Sequence, residues 1–313
     1  MAAESTRRQI IVDSDGACDD AIALLMCLAD ERVDLRAVTT VAGAVPVDIA
    51  TSNLLAVLEQ AGASHVPVYQ GAQRPLARDL ETSQQILGPR GMGDAAPLLP
   101  TTSPQSLDAV AALVDLSKEL AGETSVLVAL GPLTNLAAAI ELDPDFLARF
   151  DEILVMGTAT DGVGNITDNA EFNTWVDPEA AEVVFATPAA MTVVGWQACR
   201  TSSLLSTALH NRIVERPTPF GTFVVETTSK LREFSAAVGV DGYDLADGLA
   251  MAIVLDPSLI ATTVKGSITI DGEQRGQTHL LASEPGRADV VVVETADAER
   301  FAALITDQAV AGG

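Results

Sequence analysis

The sequence is poor in basic residues and in cysteine, and it contains no long apolar run. Lysine and arginine number 18 against 43 acidic residues, a net charge of −25, so the chain lacks the positive surface that binding to nucleic acid or to anionic lipid requires. Its three cysteines are too few and too scattered for a disulfide framework. Because no stretch has the character of a signal peptide or a membrane span, we expect a cytoplasmic protein without membrane or nucleic-acid partners.

The hydrophobic pattern predicts an α/β fold. Short β-branched runs alternate with longer Ala- and Leu-rich amphipathic stretches between residues 9 and 195. This alternation favours right-handed crossovers and a mostly parallel, doubly wound central sheet, with ligands at the carboxyl ends of its strands. No repeat or linker interrupts residues 1–313, so we predict a single domain. Its last third should add helices and then β-rich sequence, at about 201–214, 218–237, 246–255, 262–270, 289–293 and 297–310.

Four aspartates lie within eight residues where the first predicted strand, residues 9–13, ends: Asp13, Asp15, Asp19 and Asp20. One interpretation is that Asp19 caps the next helix and the others are solvated. However, four carboxylates this close repel each other more than one helix dipole can offset. Either some stay protonated or a cation neutralises them. Oxygen ligands with little sulfur select a hard cation, Ca²⁺ or Mg²⁺.

Two families of enzymes have motifs similar to this cluster. The segment Asp13-Ser14-Asp15-Gly16 resembles the first motif of haloacid-dehalogenase-type phosphotransferases, but that chemistry needs a lysine at a downstream strand end, and the sequence offers none there. The whole run from Asp13 to Ala21 resembles the first motif of the nucleoside hydrolase family, with Gly-Ala in place of Pro-Gly. This second resemblance continues in order through TTVAG (39–43), PVYQGAQRPL (67–76), ALGPLTNLA (129–137), VMG…GN…NAEFN…DPEAA (155–181) and DG…ADGLAMAIVLDPSL (241–259).

The resemblance implies calcium-dependent hydrolysis of the N-glycosidic bond of a ribonucleoside. Carried over to matching positions, it implies that Ca²⁺ is held by Asp15, Asp20, the carbonyl of Leu130 and Asp247. Asp15 would also be the general base that deprotonates the attacking water. Asp19 would bind a ribose hydroxyl, and Asp13 would support the cluster from behind. The family also implies a homo-oligomer, a dimer or a tetramer.

The resemblance assigns the ribose side to the polar segment 157–174 and its neighbours. Met156 would pack beneath the sugar ring, and Asn165, Glu171 and Asn173 would bind its hydroxyls. Taken alone, Asn165 also fits a left-handed turn and Glu171 a helix cap. Anionic carboxylates around the sugar suit the positive charge of an oxocarbenium-like transition state.

The base side departs from the family pattern. Ala246 stands where many members have a histidine, Leu87 replaces another histidine, and Ala44 replaces an asparagine. Trp196 at a strand end could stack on a base or belong to the core. Three functions therefore stay open: a nucleoside hydrolase with an unusual base pocket, a hydrolase of another N-riboside or modified nucleoside, and a non-catalytic calcium-dependent ribose-binding protein.

The remaining base-side candidates are weak. Tyr243 and Arg90 could contact the leaving group. The three histidines match none of the family's catalytic positions, so we predict surface or structural roles for His65, His210 and His279.

Overall fold

A nine-stranded sheet flanked by helices forms the centre of the protein. The computed structural model describes residues 7–97, 99–270 and 273–311. The strands are β1 (Arg8–Ser14), β2 (Val33–Thr40), β3 (Val68–Gln70), β4 (Ser125–Ala129), β5 (Glu152–Met156), β6 (Ala190–Val194), β7 (Leu204–Leu205), β8 (Tyr243–Asp244), β9 (Ile260–Ile270), β10 (Thr278–Leu281) and β11 (Asp289–Ala296). The helices are α1 (Cys18–Ala29), α2 (Val47–Gln60), α3 (Gln84–Leu87), α4 (Ala109–Glu119), α5 (Thr134–Leu142), α6 (Phe172–Val176), α7 (Pro178–Ala186), α8 (Trp196–Ser202), α9 (Thr207–Glu215), α10 (Pro219–Thr227), α11 (Ser229–Ala237), α12 (Ala246–Leu255) and α13 (Ala298–Ala311).

The strand order of the large sheet is β10-β9-β11-β6-β5-β4-β1-β2-β3. The seven strands from β11 to β3 pair in parallel, while β9 and β10 extend the β11 edge in antiparallel fashion. The chain order reverses at β1, which lies between β2 and β4, and ligands of doubly wound sheets bind at such a switch point. The predicted fold class, a mostly parallel α/β sheet, is confirmed.

The sheet is covered on both faces, which explains its uniformly apolar strands. Along β1, Ile10 and Val12 pack into one hydrophobic cluster together with α1 and α12. Ile11 points the other way and packs with α4, α5 and α7. Helix α12 is therefore held against α1, and this contact brings residues from opposite ends of the chain together at the carboxyl edge of β1.

The predicted bounds of two helices were wrong. The helix predicted over 201–214 is interrupted by β7, which pairs with β8, and α9 then begins at a Ser206 cap whose Oγ accepts from the amide of Leu209 at 3.4 Å. The helix predicted over 218–237 is two helices separated at Thr228, whose hydroxyl donates to the carbonyl of Val224 at 2.6 Å. Within the described ranges, no helix combines the length and the apolar character that crossing a membrane requires.

Candidate active site

The four N-terminal aspartates surround the junction between β1 and α1, and Asp247 joins them from the first turn of α12. The amide of Asp247 donates to Asp19 Oδ2 at 3.5 Å. One carboxylate oxygen from each of Asp19, Asp20 and Asp247 lies within 4.8 Å of the other two. We call Asp15, Asp19, Asp20 and Asp247 the acidic cluster; Asp13 lies beneath it.

The turn before α1 is held by Asp20. Its Oδ1 accepts a hydrogen bond from Ser14 Oγ at 2.6 Å, and its Oδ2 accepts from the amide of Ala17 at 3.0 Å. The amide belongs to the residue that precedes the helix, so the carboxylate reaches back and satisfies a donor that α1 leaves unpaired. The side chain of Asp20 is thereby fixed at the centre of the acidic cluster.

Asp15 is positioned by the segment that follows β2. Its Oδ2 accepts from the amide of Ala44 at 2.7 Å. The neighbouring Gly43 makes this approach possible, because a Cβ atom on Gly43 would lie 2.2 Å from Asp15 Oδ2. The TTVAG motif thus ends in a glycine whose missing side chain leaves room for a carboxylate of the acidic cluster.

Asp13 is fully buried and connects three elements. Its Oδ1 accepts from Thr39 Oγ1 at 2.6 Å and from Asn135 Nδ2 at 2.7 Å, while its Oδ2 has no partner among the described residues. Burial raises the pKa of Asp13 to about 7, although both hydrogen bonds lower it. Asn135 also donates to the carbonyl of Thr40 at 3.0 Å and so links α5 to the end of β2.

The acidic cluster has the electrostatic character of a cation site. Burial, followed by repulsion from Asp20, raises the pKa of Asp15 well above its usual value and that of Asp19 to about 7. Burial and the charges of the other three carboxylates raise the pKa of Asp247 as well. Asp247 Oδ1 is buried and has no hydrogen-bond partner in the described part of the chain. A hard cation would satisfy this oxygen and favour the ionised carboxylates.

The three carboxylates that lie within 4.8 Å of one another are only partly the carboxylates predicted to bind Ca²⁺. Asp20 and Asp247 belong to both, whereas the three neighbouring carboxylates include Asp19 rather than Asp15. The carbonyl of Leu130 accepts a hydrogen bond from Asn173 Nδ2 at 2.7 Å. Since a carbonyl oxygen has two lone pairs, this bond leaves one for a further interaction.

The segment after β5 returns to the site at α6. Glu171 is buried and accepts from the amides of Thr158 at 3.0 Å, Asn173 at 2.8 Å and Thr174 at 3.1 Å, so it caps α6. The cap interpretation of Glu171 therefore holds, and the same side chain also lines the pocket. Burial raises its pKa and these hydrogen bonds lower it.

Asn173, Met156 and Asn165 occupy the same region. Asn173 Nδ2 lies 3.4 Å from Met156 Sδ, and Asn165 Oδ1 accepts from the amide of Phe172 at 2.8 Å. Asn165 is the most exposed of the three, because it lies on the turn that precedes α6. All three line one pocket with the acidic cluster.

This pocket has a volume of about 430 Å³ and two unlike sides. The sheet edge contributes the acidic cluster and the polar residues around α6. The opposite side is largely apolar, and it contains Trp196 and Ala246 together with a wall that the sequence did not reveal, formed where α3 contacts α11. The residues of this wall, which we call the apolar wall, are Ile86, Leu87, Leu231, Phe234, Val238 and Val240.

The other base-side candidates lie outside the pocket. Tyr243 is fully buried and its hydroxyl is paired with Nδ1 of His210 at 3.1 Å. Arg90 Nη2 donates to Asn53 Oδ1 at 3.1 Å, and Arg90 is not among the lining residues. His65 and His279 are exposed and His210 is buried, and none of the three lines the pocket. The predictions for Tyr243 and Arg90 as leaving-group contacts were wrong, because packing turns both side chains elsewhere.

Comparison with known proteins places this arrangement in one family. Residues 10–303 match the family described as inosine-uridine preferring nucleoside hydrolase. The chain is 35% identical over 259 residues to the pyrimidine-specific ribonucleoside hydrolase RihA of Enterobacter sp. (strain 638), covering 81% of this chain and 80% of that protein.

Solved structures agree with the sequence relatives. The plant nucleoside hydrolase PpNRh1 superposes with a TM-score of 0.91 at 32% identity, over 97% of this chain and 99% of the plant chain. The purine-preferring ribonucleoside hydrolase from Gardnerella vaginalis gives a TM-score of 0.89 at 27% identity, over 97% and 98% of the two chains. The family match spans nearly all of the chain, and the chain therefore belongs to the inosine-uridine preferring nucleoside hydrolases, a family of N-glycosyl hydrolases.

Proposed function

We propose that this enzyme hydrolyses the N-glycosidic bond of a ribonucleoside, releasing ribose and the free base, in a calcium-dependent reaction. The observation that carries the proposal is the single pocket in which the buried acidic cluster faces Asn173, Glu171 and Met156. Carboxylates suit the two cis hydroxyls of a ribose and a hard cation. The opposite, largely apolar side suits a planar base.

The acidic cluster fits calcium by its donor chemistry. All of its ligand atoms are oxygens, and the unpartnered Asp247 Oδ1 is available to an ion. Asp15, Asp20, Asp247 and the carbonyl of Leu130 would hold Ca²⁺, and Asp19 is near enough to contribute or to bind a ribose hydroxyl. When bound, the ion supplies positive charge that orients the sugar hydroxyls and lowers the pKa of a coordinated water.

Asp15 is proposed as the general base. It would accept a proton from the water that attacks C1′ of the ribose, and its bond from the amide of Ala44 fixes the carboxylate during that transfer. Asp13 would support it from below through the hydrogen bonds to Thr39 and Asn135. Each of these side chains acts from a rigid strand end or helix start, which limits its motion.

The ribose side is proposed to consist of Asn165, Glu171 and Asn173, with Met156 beneath the ring and Trp196 towards the base. Breaking the bond between C1′ and nitrogen develops positive charge on the sugar. Carboxylates already held in place around the ribose stabilise this charge without reorganising.

Substitution of Asp15 tests the proposal. Asp15→Asn and Asp15→Ala should each abolish ribose release from a nucleoside panel and weaken calcium binding, which reducing-sugar assays and isothermal titration calorimetry would measure. Asp34→Asn is the matched control, since Asp34 is a half-buried carboxylate at the amino-terminal end of β2, away from the pocket. Undiminished turnover in the Asp15 variants would refute the role of Asp15 as general base.

One observation favours a second candidate. Ala246 and Leu87 leave the base side without the histidines that many family members have there, so the substrate could be another N-riboside or a modified nucleoside. A non-catalytic calcium-dependent ribose-binding protein is the third possibility. If the wild type releases no ribose from any riboside while calcium-dependent ribose binding persists, this third function is correct.

A further inference from the structure

One carboxyl group in the pocket has no part in the proposed chemistry. Among the described residues, the pocket is lined by six carboxylate side chains and by no lysine, arginine or histidine. Five belong to the acidic cluster or to the ribose side. The sixth is Asp244, which lies on β8, two residues before Ala246.

Asp244 is placed between the elements that bear the base side of the pocket. Strand β8 contacts α11, which carries Leu231 and Phe234 of the apolar wall. The only hydrogen bond that the Asp244 carboxyl forms within the described ranges comes from Ser203 Oγ, at 3.4 Å, just after the helix that Trp196 opens. Within the part of the chain that the structure describes, this carboxyl forms no hydrogen bond to the acidic cluster, and it lines the same pocket.

The environment of Asp244 moves the pKa of its carboxyl towards neutral pH. Burial raises the pKa of Asp244 to about 6, and the hydroxyl of Ser203 only partly offsets this. A general acid works best when its pKa lies near the working pH, because a useful fraction of the molecules then carries the proton and still releases it readily. A half-buried carboxyl in a largely apolar surrounding has this property.

We infer that Asp244 is the catalytic acid that protonates the leaving base, in place of the histidine that Ala246 lacks; this inference rests on the proposed nucleoside hydrolysis. As the bond between C1′ and the base nitrogen breaks, its electron pair passes to the base, and the base takes the proton of Asp244. The attacking water gives its hydroxyl to C1′ and its other proton to Asp15. Proton exchange with solvent then returns Asp15 and Asp244 to their starting states, so the net reaction consumes one water.

The exposure of the apolar wall fits a base held beside Asp244. Phe234 is 41% exposed, Val238 61% and Val240 38%, although all three line the pocket. A planar ring inserted between this wall and Trp196 would cover them. The ligand class is therefore a riboside whose base is aromatic and needs protonation to leave, as the common purine and pyrimidine nucleosides do.

The leaving group provides the test. Inosine and uridine need an acid, whereas 4-nitrophenyl β-D-ribofuranoside releases a stable phenolate without one. With Asp244→Asn, kcat/KM for the two nucleosides should fall by about 100-fold or more, the usual size of general acid catalysis. The value for the nitrophenyl riboside should change by less than about threefold, since the acid is not needed for that substrate. Asp241→Asn, an exposed aspartate on the same segment, is the control and should leave both values unchanged.

The outcomes separate this inference from the proposed function. If Asp244→Asn still cleaves nucleosides at the wild-type rate, Asp244 is not the acid. The same holds if kcat/KM for the nucleosides and for the nitrophenyl riboside falls by the same factor. If the wild type cleaves the nitrophenyl riboside and no nucleoside, the proposed function fails and the inference with it. Retained hydrolysis of the nitrophenyl riboside by the variant also shows that it is folded.

Discussion

At the scale of single residues, position 43 requires glycine because the side chain of Asp15 lies against it. A side chain has no room there, because Asp15 Oδ2 fills the space that a Cβ atom on Gly43 would occupy. Glycine is tolerated there for close approach rather than for a left-handed backbone, since Gly43 is not among the positive-φ glycines.

Gly43→Ala should therefore displace Asp15. We expect kcat/KM for ribonucleosides to fall at least tenfold and the free energy of unfolding to fall by about 1–3 kcal/mol, the usual cost of overpacking. Steady-state kinetics and urea denaturation would measure the two effects. Gly122→Ala is the control: its φ of +92° strains the variant, but nothing lies within 4 Å of the added methyl group, so stability should drop without a specific loss of activity. Equal activity losses in the two variants would contradict the crowding at Asp15.

The site residues that could be predicted from the sequence are those that lie close together in a short motif. The four aspartates at the end of the first strand predicted a charged site, because carboxylates so close together in the sequence must repel one another. Asp244 could not be recognised in this way, since a lone carboxylate in the sequence has no distinguishing signal. Its position depends on the pairing of β8 with β7 and on the packing of α11, which no local pattern encodes.

At the scale of elements, α11 determines the shape of the base side. We predicted one helix over 218–237, although residues 226–230 form a polar run. In the structure Thr228 ends the first helix by bonding the carbonyl of Val224, and α11 is a separate element that contacts α3. The apolar wall depends on this contact between two elements distant in the sequence, so it could not be foreseen from periodicity.

Phe234→Ala should weaken binding of the base without affecting the metal. Stacking of a base on an aromatic side chain contributes about 1–3 kcal/mol, so KM for nucleosides should rise roughly tenfold or more while calcium affinity stays the same. Kinetics and calorimetry would measure these quantities. The control is Glu233→Ala, which removes an exposed ion pair with Lys230 at 2.9 Å, an interaction worth little. An unchanged KM in Phe234→Ala would show that the base lies elsewhere.

At the scale of the whole molecule, the protein carries a net charge of −25, and several of its carboxylates lie together in the pocket. The pocket contains five carboxylates on its sheet side and, among its described lining residues, no basic side chain. Ionising these groups in a buried site costs stability unless a cation is present. Calcium is thus proposed to stabilise the fold as well as to serve catalysis.

Removal of calcium should lower the melting temperature. Binding at a calcium concentration of 100 times Kd adds about 2.7 kcal/mol, which for a domain of this size corresponds to a rise in Tm of roughly 5 °C. Differential scanning fluorimetry of protein treated with EDTA, with and without added Ca²⁺, would measure it. Mg²⁺ at the same concentration is the control and should raise Tm less, because it demands a stricter octahedral site. Identical melting curves with EDTA and with Ca²⁺ would exclude a structural calcium ion.

The assembly and the cellular location stay predictions at this scale. A dimer or tetramer was expected from the family resemblance, and a cytoplasmic location from the composition. The fold itself was predictable because alternating strands and helices permit few topologies. The two antiparallel strands that extend the sheet at β11 were harder to foresee, since only β9 and β11 had a clear β pattern in the sequence.

The contact between α1 and α12 has a consequence for how the protein is made. The acidic cluster joins Asp19 to Asp247, whose amide donates to it across 228 positions of the chain. Contacts between such distant segments close large loops, which costs conformational entropy and slows folding. During synthesis from the N-terminus, Asp15, Asp19 and Asp20 emerge long before their partner on α12. A nascent chain therefore cannot complete the proposed calcium site until most of its length has left the ribosome, and on that proposal tight calcium binding would mark a chain that has finished folding.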